Sequence, residues 1–83
     1  MDYDLSVKNK VVGIKQSQKA VVSAMADTAF IAGDAALEIK ESFAGLCVEH
    51  NVKIVEVESM ALLGQMCCIE VSAAVAVLLK EIE

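Results

Sequence analysis

Lys15 and Lys19 stand four residues apart behind a glycine, Gly13, with Gln16 between them. On a helix that spacing puts both ammonium groups on one face. The start of a helix also offers amide N–H groups with no intrahelical partner, and its dipole disfavours cations. Two lysines beside free amide donors therefore suit a phosphate backbone. Gln16 adds a donor and an acceptor able to read a base edge. The same spacing equally describes two solvated lysines on an ordinary surface helix. The other reactive side chains do not converge. Cys67 and Cys68 are adjacent and Cys47 is distant, with no C-x-x-C spacing, so no zinc pattern is present. Cys47 and His50, three apart, offer two ligands at most and read as a packed cysteine near an exposed histidine. With a single histidine, nucleophilic or zinc catalysis would need partners that the sequence does not offer, and no catalytic residue is expected. Glu56 and Glu58 lie two apart in a strand-like run and read as a solvated edge.

The chain that must position these groups has 83 residues, enough for one domain over residues 1–83. It is 57% apolar and only 4% aromatic, which predicts a modest core of Ala, Val, Leu and Ile. The absence of proline and only four glycines argue against a linker-rich or disordered chain. The best apolar run, residues 71–79, is about half of what a membrane span needs. Asp2 and Asp4 do not fit a signal peptide, and three thiols without one point to a reducing compartment. A soluble cytoplasmic protein without cofactor is expected. Net charge is −5, which alone speaks against a nucleic-acid partner. Four of the seven lysines, however, fall at Lys8, Lys10, Lys15 and Lys19, leaving a small basic site on an acidic body. Arginine is absent, so phosphate contacts fall to lysine, amides or neutral side chains.

Strand-like and helix-like segments alternate. Val11-Val12 before Gly13 reads as a short strand, and residues 16–26 as a helix. Residues 28–32 form a buried-strand run closed by Gly33-Asp34. An amphipathic helix follows through Leu37, Phe43, Leu46 and Val48. It should stop near Asn51, which tolerates the left-handed conformation. Residues 52–57 alternate apolar and charged, a half-exposed strand. Ser59 caps a short helix through Met60, Leu62, Leu63 and Met66. Residues 71–79 alternate cleanly and are read as one strand buried on both faces. The order βαβαβαβ predicts an α/β class fold, a three-layer α/β/α sandwich with a four-stranded mixed sheet.

Two stretches carry a family resemblance. Gly13-Ile14-Lys15-Gln16-Ser17-Gln18-Lys19-Ala20 is similar to the glycine-led segment that opens the RNA-contacting helix of the ribosomal seven-Ae and thirty-e proteins, in the form seen in their YbxF-like bacterial members. Val57-Glu58-Ser59-Met60 followed by Leu63-Gly64-Gln65-Met66-Cys67-Cys68-Ile69-Glu70-Val71 resembles the same proteins' Leu-Gly-x-x-Cys-Gly-Ile-Glu-Val loop. The likeness spans residues 8–79. It implies a kink-turn RNA reader in which Gly13 lets backbone and nucleic acid approach closely. Lys15, Gln16 and Lys19 would then contact bases and phosphates. Residues 66–71 (Met66, Cys67, Cys68, Ile69, Glu70 and Val71) would pack against nucleotides turned out of the stack. On chemistry alone, Met66, Cys67, Cys68 and Ile69 are either core plugs or a soft apolar platform for unstacked bases. The chain also differs from the proteins it resembles. Val22-Ser23-Ala24 stands where they carry lysine–arginine–glycine, Gly33 where they carry lysine, Cys68 where they carry glycine, and Ile14 where threonine is common.

The expected partner is a kink-turn RNA, ribosomal or regulatory, with neither DNA nor a membrane. The competing expectation is a protein-interaction module with a decayed RNA site, forming a weak homodimer through Val21, Val22 and Met25.

Overall fold

The computed structural model describes residues 9–80. Asp2, Asp4 and Lys8 lie outside the described residues, as do both ends of the one-domain reading. Seven elements follow one another: β1 Lys10–Val12, α1 Ile14–Val22, β2 Ala26–Ala32, α2 Leu37–Glu49, β3 Lys53–Val57, α3 Met60–Met66 and β4 Val75–Leu79. The sheet runs β1-β4-β2-β3. β4 is antiparallel to both neighbours, with Val77 opposite Val11 and Ala29, whereas β2 and β3 are parallel. This is the mixed sheet that the alternating pattern predicts.

Strand alternation divides the core into two layers. Ala29, Ile31, Val75 and Val77 face α1 and α2, where they meet Val21, Phe43 and Cys47. Phe30, Ala32, Ala76 and Leu78 face α3, where they meet Leu63 and Cys67. Each layer is centred on a phenylalanine, and Phe30 and Phe43 are the largest fully buried side chains. The core is thus not purely aliphatic. Few aromatics does not mean peripheral ones, since a large ring fills the middle of a thin layer better than several alanines.

The three helices among the described residues end in the same way. Ala24, Asn51 and Cys68 have φ of 61°, 59° and 59°. The amides at and after each donate back to the last helical turn: Ala24 to Val21 and Met25 to Ala20, Asn51 to Val48 and Val52 to Cys47, Cys68 to Gln65 and Ile69 to Gly64. These are paired Schellman closures. The stop expected at Asn51 is found. The first helix ends at Val22, not at residue 26, because residues 23–25 form its closure. It also starts earlier than residue 16, at Ile14.

β4 begins at Val75 rather than at residue 71. Residues 69–73 run back along α3, where the Ala73 amide donates to the Met60 carbonyl at 3.1 Å. A Cβ on Gly64 would collide with the Val71 carbonyl oxygen and come within 3.1 Å of the Ser72 Cα. The alternating pattern of residues 71–74 therefore serves a helix-hugging segment, and Val71 is 70% exposed.

Candidate functional site

One end of the sheet gathers the motif residues through backbone hydrogen bonds. Gly13, just after β1, donates to the Val75 carbonyl at 3.1 Å. The Ala32 amide at the end of β2 donates to Ala74 at 2.9 Å, and the Gly33 amide to Val57 at 2.7 Å. This row binds together the start of α1, the exit of the residue 68–74 loop, the turn after β2 and the approach to α3. Residues some sixty positions apart in sequence are thereby neighbours.

Gly13 occupies the N-cap of α1 with φ 106° and ψ 157°, and no side chain caps the helix. That conformation is open essentially to glycine alone. A Cβ there would meet nothing within 4 Å, so the backbone angle, not crowding, demands the glycine. The first amide to bond back is that of Ser17, to Gly13 at 3.0 Å. The amides of Ile14, Lys15 and Gln16 precede it and lie in the turn that helix geometry leaves without partners. Lys15 and Gln16 are exposed beside them. Lys19 is exposed too, but it lies in the last turn of this nine-residue helix. Its charge is favoured by the dipole there, contrary to the expectation that both lysines sit in the first turns.

The residue 66–71 loop splits between the two expected roles. Cys67 is 2% exposed and belongs to the core, with Met66 and Ile69 half-buried against it. Cys68, Glu70 and Val71 face solvent. Cys67 thus plugs the core beneath the loop, and its side chain offers no surface to a partner. Burial pushes its thiol above the ordinary range, with Lys10 opposing the shift and Cys68 adding to it. Burial pushes the Cys47 thiol up as well. Cys47 points into the core while His50 is exposed beyond the helix end, so the two do not meet. Among the described residues no group of three or more metal-ligating side chains forms. Glu56 and Glu58 are exposed on and just after the edge strand β3, as expected. Among the described residues no helix is long and apolar enough to cross a membrane.

Two site residues, Asp34 and Lys40, escaped the sequence, whereas the Ser59 cap was expected. The Asp34 carboxylate accepts from the Met60 amide at 2.7 Å, and Ser59 Oγ accepts from the Leu62 amide at 3.1 Å. Asp34 so ties the turn after β2 to the helix that carries the loop. Lys40 Nζ donates to the Gly33 carbonyl at 2.7 Å, pinning the same turn from α2. Gly33-Asp34 signalled a strand end, but nothing local revealed a capping partner 26 residues away.

A three-layer domain with an uncapped helix start and an exposed loop at one sheet end defines a compact class of fold and site. The chain belongs to the ribosomal protein L7Ae/L30e/S12e/Gadd45 family, whose sequence model matches residues 4–83. It is 40% identical over 67 residues to RNA-binding protein TTE2299 of Caldanaerobacter subterraneus subsp. tengcongensis, covering 81% of this chain and 82% of that one. It is 37% identical over 70 residues to RNA-binding protein YbxF of Geobacillus stearothermophilus, covering 84% and 85%. Among solved structures, the Giardia lamblia 15.5kD RNA binding protein superposes with a TM-score of 0.85 at 28% identity, covering 94% of this chain and 66% of that one.

Proposed function

We propose that this chain binds RNA in the cytoplasm and that its target is a kink-turn, on the ribosome or in a regulatory RNA. The observation that carries the reading is the uncapped start of α1, where free amides stand beside exposed Lys15 and Gln16. Phosphates would be held by Lys15 and the amides of the first turn, and by Lys19 further along the same face. Gln16 would read a base edge. Gly13, lacking a side chain, leaves room for the strand to come close. Cys68 and Val71 would present a small apolar surface to a base turned out of the stack. The relatives named as RNA-binding proteins support the same reading.

The test is a titration of a short kink-turn RNA and of a straight duplex of equal length, each across a range of salt. Tighter binding to the bent RNA is expected, with affinity falling roughly as the second power of salt for two lysine–phosphate contacts. Equal affinity for the two RNAs would remove the kink-turn, and no binding to either would remove RNA.

Val22, 58% exposed on α1, and the exposed Met25 just after it favour a second reading, self-association through that helix, whereas Val21, expected on the same surface, is buried in the core and takes no part. Under it, sedimentation of wild type should depend on concentration and that of Val22→Lys should not.

A further inference from the structure

We propose that a groove alongside α1 takes an unpaired nucleotide of the same RNA strand that the start of α1 holds; the inference rests on the RNA reading and extends it. Gln16, Lys19 and Ser23 line one wall. Their spacing of three and then four keeps them on one helical face, over a length of about 10 Å. Val11, Ala20, Met25 and Leu79 supply an apolar floor, and the groove encloses about 430 Å³. That lies within the range of small-ligand sites and is shallow for a partner helix roughly 10–12 Å across.

Continuity and charge decide the occupant. Gln16 belongs to both the groove and the α1 N-terminal turn, so a strand leaving that turn along the helix enters the groove directly. Lys19 supplies a cation at its rim, and none of the lining residues is acidic in a chain of net charge −5. Lys80 adds a second exposed cation nearby, its amide donating to the Met25 carbonyl at 2.9 Å. Met25 is 38% exposed, and its polarizable thioether suits contact with the face of a ring. Gln16 and Ser23 can meet the edge of a base, and Lys19 its phosphate. Stacking on the floor tolerates any base, so the groove should select unpaired nucleotides without strong sequence preference.

The experiment compares two kink-turn RNAs, one blunt and one carrying three unpaired nucleotides on the flank, against wild type, Met25→Ala and Lys15→Ala. Wild type should bind the tailed RNA roughly tenfold more tightly, the size of one stacking contact. Met25→Ala should lose that gain, whereas Lys15→Ala should weaken both RNAs alike. In wild type, 4-thiouridine placed in the tail should crosslink to groove residues, a readout that does not depend on how any variant folds. Tight binding to both RNAs with no gain from the tail would overturn the groove alone. A gain that Met25→Ala retains, or crosslinks that map elsewhere, would do the same. Wild type that binds neither RNA would instead sink the RNA reading beneath it. Concentration-dependent sedimentation abolished by Met25→Ala would give the groove to a second copy of the chain.

Discussion

Lys15 and Lys19 share a helical face but sit in opposite fields. Lys15 stands in the first turn of α1, where the dipole opposes its charge, and Lys19 in the last, where it is favoured. Either change to Ala should weaken RNA binding by about 1–3 kcal/mol. The free protein should respond with opposite signs: Lys15→Ala stabilises it and Lys19→Ala destabilises it, by about a few tenths of a kcal/mol in each case, read as small melting-temperature shifts in opposite directions. Parallel RNA titration and thermal melts would check both, and shifts of the same sign would show that the dipole is not what distinguishes them. The residue types of this site were legible in the sequence, but the opposed fields were not, because they depend on where the helix begins. The thiols make a second contrast. Burial raises Cys47 and Cys67 above the ordinary range, so the folded state favours their neutral form. That contribution is fully present below the unfolded-chain thiol pKa and is lost as pH rises through the folded values. The melting temperature should hold steady through neutral pH and drop in alkali. At mildly alkaline pH, iodoacetamide should modify exposed Cys68 and spare the other two until the chain unfolds.

At the scale of elements, the three closures at Ala24, Asn51 and Cys68 share one geometry but not one residue type. Asparagine tolerates φ near 60°, whereas alanine and cysteine are strained there. Ala24→Gly and Cys68→Gly should each stabilise the fold by about 0.5–1 kcal/mol in chemical denaturation. Asn51→Gly should gain less. A Cβ disfavours positive backbone angles, yet the loop adopts one at Cys68, because the two returning hydrogen bonds outweigh the local strain. Gly64 is the opposite case, required by contact and not by angle. Gly64→Ala would force residues 71–72 off α3 and should cost about 1–3 kcal/mol. If the loop is part of the RNA site, affinity should fall further than that of an equally destabilised core variant. The Ser59 cap, the alternation of β3 and the stop at Asn51 could all be read from neighbouring residues. The start of β4 could not, since residues 71–74 keep a strand-like period while lying against a helix, where the missing Cβ of Gly64 makes room and the Ala73 amide bonds to Met60.

At the scale of the whole molecule, the strand order sets when the site can exist. Of the seven elements among the described residues β4 comes last in sequence, yet it lies inside the sheet between β1 and β2. It carries Val75 and Val77 into one core layer and Ala76 and Leu78 into the other. A chain cut after residue 74 would lose both layers' central strand and leave β1 with no partner. Such a truncation should show no cooperative melting transition by circular dichroism, and a retained transition would mean that β2, β3 and the helices form a core unaided. During synthesis the lysines of α1 emerge early, but Gly13 has no Val75 carbonyl to hold it until the final strand arrives. Pairings across more than sixty residues also slow folding relative to a helical bundle. A nascent chain thus carries these charges before β4 can fix Gly13, and the arrangement at the start of α1 is completed only once β4 has been made.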